Sequence, residues 1–156
     1  RRRSFIASYA YAVPTREAIG AIADFVTGHR VLEVCAGRGL WARILSDVGV
    51  DVLATDAERP NGGTYYAVDE LDAETTVRAH PDHSALLICW PPNNQGIAYR
   101  ALRAFMGTRM IYVGDDRFTG DADFQASLTK DWLLNLQLPL PQWPGINDGV
   151  RLYSRL

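Results

Sequence analysis

Lysine is nearly missing from this chain: of 16 basic residues among 156, only Lys130 is not an arginine. Set against 18 acidic residues, they leave a net charge of -2. That balance excludes a general electrostatic pull toward nucleic acid or an anionic membrane, so neither partner is expected. The arginine bias is compositional and carries no functional weight. Cysteine is scarce too. Cys35 and Cys89 are too few for a disulfide scaffold or a tetrahedral thiolate site, and reduced, buried thiols are the expectation. His29, His80 and His83 show no ligand spacing, so no metal is expected. No apolar run approaches the roughly 20 residues that span a bilayer. The start, Arg1-Arg2-Arg3-Ser4-Phe5, has no signal-like apolar segment, and the chain reads as cytoplasmic. Repeats and low-complexity tracts are lacking. What is present is 47% hydrophobic, 22% charged and 10% aromatic residues, enough for one core and one domain over residues 1–156.

Turn residues and apolar periodicity divide the chain. Thr15 can cap a helix over about 15–27, with Ile19, Ile22, Phe25 and Val26 at helical spacing and Gly28 as its stop. Arg30 to Cys35 reads as a strand, Ala36-Gly37-Arg38-Gly39 as a turn, and Leu40 to Val48 as a helix. Asp51 to Thr55 is a second strand closing at Asp56, which completes a βαβ unit. Tyr65 to Val68 is a third strand ending at Asp69, followed by a weakly patterned helix to Ala79. Ser84 to Trp90 is the most apolar run and reads as a central strand, stopped by Pro91 and Pro92. A helix from Ile97 to Phe105, a strand from Arg109 to Val113 and a short helix from Asp121 to Leu128 follow. Trp132 to Leu138 and Val150 to Arg155 are two strands joined by a loop without a helix, hence antiparallel. The pattern predicts a doubly wound, mostly parallel α/β sheet of about seven strands whose last strand reverses. Residues 30–80 form one half and residues 84–156 the other.

In such a sheet, ligands sit at the carboxyl ends of the strands where the strand order reverses. At the first strand end, Gly37 and Gly39 let backbone approach a ligand closely. Asp56 stands 17 residues after Gly39, where a carboxylate can accept both hydroxyls of a ribose. Together they specify an adenosine-type ligand. Gly37, Gly39 and Ala42 also satisfy the dinucleotide fingerprint, but Glu33 lies within the preceding strand, where it repels a pyrophosphate and favours an ammonium and a sulfonium.

This acidic-xxx-Gly-x-Gly pattern resembles the first motif of class I S-adenosylmethionine (SAM) dependent methyltransferases. The resemblance implies a Rossmann-like fold and SAM as cofactor. In it, Glu33 orients the methionine amino group, Ala36, Gly37 and Gly39 lie under the cofactor, and Asp56 holds the ribose. It further implies that Asp69 approaches the adenine amine, with Asp72 competing for that role. The likeness runs through the whole chain. Ser8 to Pro14, Trp90-Pro91-Pro92, Ile111 to Gly114 and Pro141 to Gly145 also resemble a narrower bacterial group, for which the resemblance implies no substrate.

Trp90-Pro91-Pro92-Asn93 looks like a displaced version of the (Asp/Asn/Ser)-Pro-Pro-aromatic motif of amino-group methyltransferases. Trp90 cannot accept a hydrogen bond, so half of that chemistry is missing. The carbonyls of Pro91 and Pro92 can still polarise a donor, and Trp90 or Asn93 can touch substrate; the two prolines serve equally well simply to end a strand. Asp115, at the fifth strand end, is a candidate general base, or with Asp116 a solvated turn. The loop Pro139 to Asp148 lies on the ligand edge and offers Trp143, Asn147 and Asp148 as a lid or substrate wall, although its prolines serve equally well just to stiffen a crossover. Tyr9 and Tyr11 can fold over the cofactor or simply pack. The leading expectation is methyl transfer to a small-molecule acceptor. A catalytically silent SAM- or nucleoside-binding partner or sensor and an NAD-linked oxidoreductase are the alternatives.

Overall fold

Residues 1–156 are described by a computed structural model. In chain order the elements are α1 (Arg2–Ser8), α2 (Arg16–Phe25), β1 (Val31–Val34), α3 (Leu40–Asp47), β2 (Val52–Asp56), β3 (Val68–Glu70) and α4 (Ala73–Ala79). They continue with β4 (Ala85–Cys89), α5 (Ile97–Ala104), β5 (Arg109–Gly114), α6 (Ala122–Asp131), β6 (Trp132–Pro139) and β7 (Gly149–Arg155). Thr15, Asp72 and Asp121 each cap a helix by accepting a backbone N–H three residues on.

The seven strands form one sheet in the order β3-β2-β1-β4-β5-β7-β6. Pairs among the first five strands are parallel, whereas β7 runs antiparallel to both β5 and β6. The expected doubly wound sheet with a reversed last strand is therefore present, and β7 inserts between β5 and β6. Strands β1 and β4 are buried along their whole length, which is why they read as apolar runs without alternation. Their successive side chains go to opposite faces. Val31 and Leu87 join Ile19 and Ile22 of α2 and Trp41 and Leu45 of α3. Leu32, Leu86 and Ile88 join Val77 of α4, Leu102 of α5 and Phe124 of α6.

Three elements differ from the sequence-based expectation. Helix α1 is additional. Helix α6 continues past Leu128 to Asp131. Strand β3 begins only at Val68, because Tyr66 turns its hydroxyl onto the Val52 carbonyl (2.7 Å) and packs under Gly39 instead of pairing in the sheet.

Candidate active site

The strand order reverses between β1 and β4, which lie side by side with Val34 opposite Ile88. Connections leave that point toward opposite faces and open a crevice between them. A cleft of about 820 Å³ occupies it. Both strands end in a non-glycine residue with left-handed backbone, Cys35 (φ 57°) and Trp90 (φ 49°). That conformation costs a residue bearing a Cβ on the order of 1–2 kcal/mol. It turns each chain off the sheet, so that Ala36-Gly37-Arg38 and Pro91-Pro92-Asn93 both border the cleft.

Glu33 lines the cleft from within β1, opposite Ala54 and Leu87 in the neighbouring strands. It is only 1% exposed, and its Oε2 has no hydrogen-bond partner. Burial pushes its carboxyl up to about 8, helped by the nearby Asp56 charge, while the Ala42 backbone acts the other way. Asp56, at the end of β2, accepts the Gly37 N–H on Oδ2 (2.8 Å) and the Glu58 N–H on Oδ1 (3.0 Å). The glycine turn and the second acid are thereby locked together. Ala36 donates its N–H to the Thr55 carbonyl (3.0 Å). At Gly37 (φ 57°) an added Cβ would meet nothing within 4 Å, so the backbone there faces open space.

Several expected site residues lie elsewhere or are already engaged. Gly39 does not border the cleft. It opens α3 with φ 76°, and a Cβ there would come within 2.9 Å of Val68 and 3.0 Å of Tyr66, so it is a packing glycine. Asp69 is exposed in edge strand β3 and outside the cleft, because the strand starts later than expected and the turn inward comes after Glu70. Asp72 occupies the cleft margin instead, while capping α4 through Thr75 (2.9 Å to its N–H). Its carboxyl is held low, first by the Thr75 hydroxyl.

Asp115 is not a free base. Its carboxylate takes Nε and Nη2 of Arg117 (3.0 and 2.7 Å) and the Asn147 N–H (2.7 Å), and Arg117 above all holds it down to about 2. It opens on a second cavity and serves to tie the β6–β7 loop to the end of β5. The Pro91 carbonyl is likewise occupied, accepting the Gly120 N–H (3.2 Å). Asn93 is exposed at the cleft and free of such ties. Burial raises both thiols, Cys35 to about 12 and Cys89 well above its ordinary value, so neither is a thiolate. No group of three or more His, Cys, Asp and Glu side chains is arranged to hold a metal.

Trp90 is the most constrained residue at the site. Its indole N–H donates to Asp148 Oδ1 (2.7 Å), Tyr11 stacks on it (5.2 Å between centroids, 16° between planes) and the Arg2 guanidinium lies 5.1 Å from its ring centre. Asp148 is 1% exposed, its Oδ2 has no partner, and burial raises its carboxyl. The residue sits in the loop that sequence reasoning placed on the ligand edge, but its link to Trp90 spans 58 positions and has no local signal.

Helix α1 and the segment after it form the remaining wall, through Ile6, Ala7, Tyr9, Ala10 and Tyr11. Arg38 of the glycine turn donates to the Ala7 carbonyl (2.9 Å), Tyr65 to the Ser8 carbonyl (2.7 Å) and Trp41 to the Ala12 carbonyl (3.3 Å). The charges around the cleft are segregated. Its acids, Glu33, Asp56, Glu58, Asp72 and Glu74, all belong to the βαβ half; residues 84–156 contribute apolar, aromatic, proline and amide groups and Arg100, which pairs with Glu74 (3.4 Å), and no acid.

No family model matches the chain, and no curated protein matches it. By its fold, however, the chain is like class I SAM-dependent methyltransferases. The Burkholderia thailandensis 1,6-didemethyltoxoflavin N1-methyltransferase, solved with 1,6-didemethyltoxoflavin and S-adenosylhomocysteine, superposes with a TM-score of 0.64 at 14% identity, over 99% of this chain and 86% of that one. The Synechocystis magnesium protoporphyrin IX methyltransferase with bound SAM gives 0.61 at 10% identity, over 99% and 95%. A Streptococcus pneumoniae protein named for tRNA methylation, in complex with SAM, gives 0.62 at 14% identity, over 91% and 73%.

Proposed function

We propose that the protein is a SAM-dependent methyltransferase acting on a small-molecule acceptor. The observation that carries this reading is Glu33, a buried carboxyl with an orphaned oxygen at the edge of an open cleft. A buried acid left half-paired is costly, and a ligand ammonium ionises and satisfies it. A pyrophosphate brings no cation to offset that cost and would hold the buried acid in its neutral form, which argues against a dinucleotide. In this reading Glu33 takes the cofactor's amino group, the Ala36-Gly37 backbone lies against its methionyl part, Asp56 accepts from the ribose and Asp72 faces the adenine.

SAM held by Glu33, the Ala36-Gly37 backbone and Asp56 would supply an activated methyl group for transfer to a nucleophile. The chain's own contribution is positioning. Residues 84–156 add no carboxylate or imidazole to the cleft lining, so that half supplies no general base. A small acceptor fits a cleft walled by α1, and Asp56, Glu58, Asp72 and Glu74 in its lining disfavour a polyanion. Calorimetry with SAM and S-adenosylhomocysteine tests the proposal. Wild type binds both, and Asp56→Ala binds at least about tenfold more weakly. Absence of binding by wild type rejects the reading.

A silent binding module is the second reading, favoured by the occupied Trp90 indole and Pro91 carbonyl. Cofactor binding without transfer to any of a broad panel of acceptors would establish it.

A further inference from the structure

Three of the ten large hydrophobic side chains that this protein exposes line one cleft: Tyr9 (46% exposed), Tyr11 (48%) and Phe118 (43%). Single exposed aromatics need no explanation, but a cluster at the mouth of a cleft marks a contact surface. Tyr11 is held flat by stacking on Trp90, which is itself fixed by Asp148 and by its left-handed backbone. Tyr11 is nevertheless 48% exposed. The result is an aromatic shelf that borders the cleft at the end of β4.

The electrostatics of that side are equally defined. Guanidinium groups lie 5.1 Å from the ring centres of both Trp90 (Arg2) and Phe118 (Arg117). Arg100 is the only charged residue that residues 84–156 add to the lining, and Asn93 and Gln95 supply neutral polar groups beside it. Arg117 is paired with Asp115 and Arg100 with Glu74 (3.4 Å), so a cationic acceptor would find no uncommitted carboxylate beside the aromatic groups. A neutral or anionic one would not be repelled.

We propose that the acceptor is a planar aromatic or heteroaromatic molecule, neutral or anionic, that stacks on Tyr11 beside Trp90 and takes hydrogen bonds from Asn93 and Gln95. The inference rests on the methyl-transfer reading, and specifies which acceptor that site admits. Tyr11 is then a specificity-determining residue, and the segment following α1 belongs to the acceptor site.

The test is a calorimetric titration of the protein, alone and saturated with S-adenosylhomocysteine, with four probes: naphthol, naphthoate, the saturated decahydronaphthol and the cationic N-methylquinolinium. Naphthol and naphthoate are expected to bind about tenfold more tightly than decahydronaphthol, with N-methylquinolinium weaker than both. Tyr11→Ala removes the preference for flat rings, and Tyr11→Phe keeps it. Equal affinity for naphthol and decahydronaphthol, or a preference that survives in Tyr11→Ala, overturns the stacking site. N-methylquinolinium binding as tightly as naphthoate overturns the charge assignment. Failure of S-adenosylhomocysteine to bind wild type rejects the cofactor reading alone, because the probes are also scored on the protein without it.

Discussion

A carboxylic acid in the middle of a fully buried parallel strand weakens the fold at any pH where the unfolded chain would ionise it. For Glu33 the native carboxyl titrates near 8 and its ordinary value is 4.5. Below the lower value both states hold the proton and there is no penalty. Between the two, the unfolded chain releases it while the native one keeps it, so stability falls as pH rises and levels off above 8. The loss is on the order of 4–5 kcal/mol at most, from about 1.4 kcal/mol per unit. Urea unfolding of wild type and Glu33→Gln between pH 5 and pH 8 should show the wild type losing several kcal/mol more; parallel curves would mean that Glu33 reaches water. The same linkage predicts that a ligand ammonium at Glu33 expels a proton below pH 8. Calorimetry in buffers of different ionisation heat should therefore show proton release at pH 6.5 that fades above 8. Trp90 presents the complementary case. Removing its indole N–H in Trp90→Phe leaves both oxygens of buried Asp148 without a donor, and should cost about 1–3 kcal/mol in urea unfolding.

At the scale of elements, legibility followed how each segment gains its stability. The stretch β1-turn-α3-β2 was readable because strand burial, glycine geometry and helical periodicity all agree over a short span. Glu33 and Asp56, the two acids proposed to face the cofactor, lie in that same stretch and both line the cleft. Helix α1 could not: it is seven residues long, buries none of them fully, and has no capping side chain. A helix that short is marginal alone and exists here by docking on Arg38, Tyr65 and Trp143, all distant in sequence. Asp115 reads as a general base or a solvated turn; its partner Arg117 is only two residues on, but the Asn147 N–H that completes its engagement lies 32 positions away and leaves no local signal. Asp69 was misplaced because a three-residue edge strand carries almost no pattern. An element held this lightly should open locally. Limited proteolysis is therefore expected to cut first within residues 1–12, and S-adenosylhomocysteine, whose cleft α1 walls, should slow that cut severalfold. Protection elsewhere but not there would show that α1 does not close on the ligand.

For the molecule as a whole, charge separates the acceptors this fold can serve. Polyanion binding depends on clustered basic groups whose counterions are released. Here the net charge is -2 and the cleft lining has four carboxylates, besides the buried Glu33 carboxyl, against Arg38 and Arg100. Unfractionated tRNA should therefore show no shift in gel electrophoresis at about 0.15 M salt, where the expected weak non-specific binding is screened. A SAM-dependent methylation of that RNA would overturn the small-acceptor proposal.

The position of β7 has a consequence for how the chain is made. Gly149–Arg155 supplies the only partner that joins β6 to the rest of the sheet. As the polypeptide emerges from the ribosome, the first five strands can pair in order, but Trp132–Pro139, with its leucines and no charged residue, must wait. The sheet closes only when residues synthesised after it slide between β5 and β6. A stalled ribosome or a stop codon just before Gly149 would thus release a chain with two unsatisfied strand edges, one on β5 and one on β6, and the cell would meet it as a substrate for chaperones and proteases.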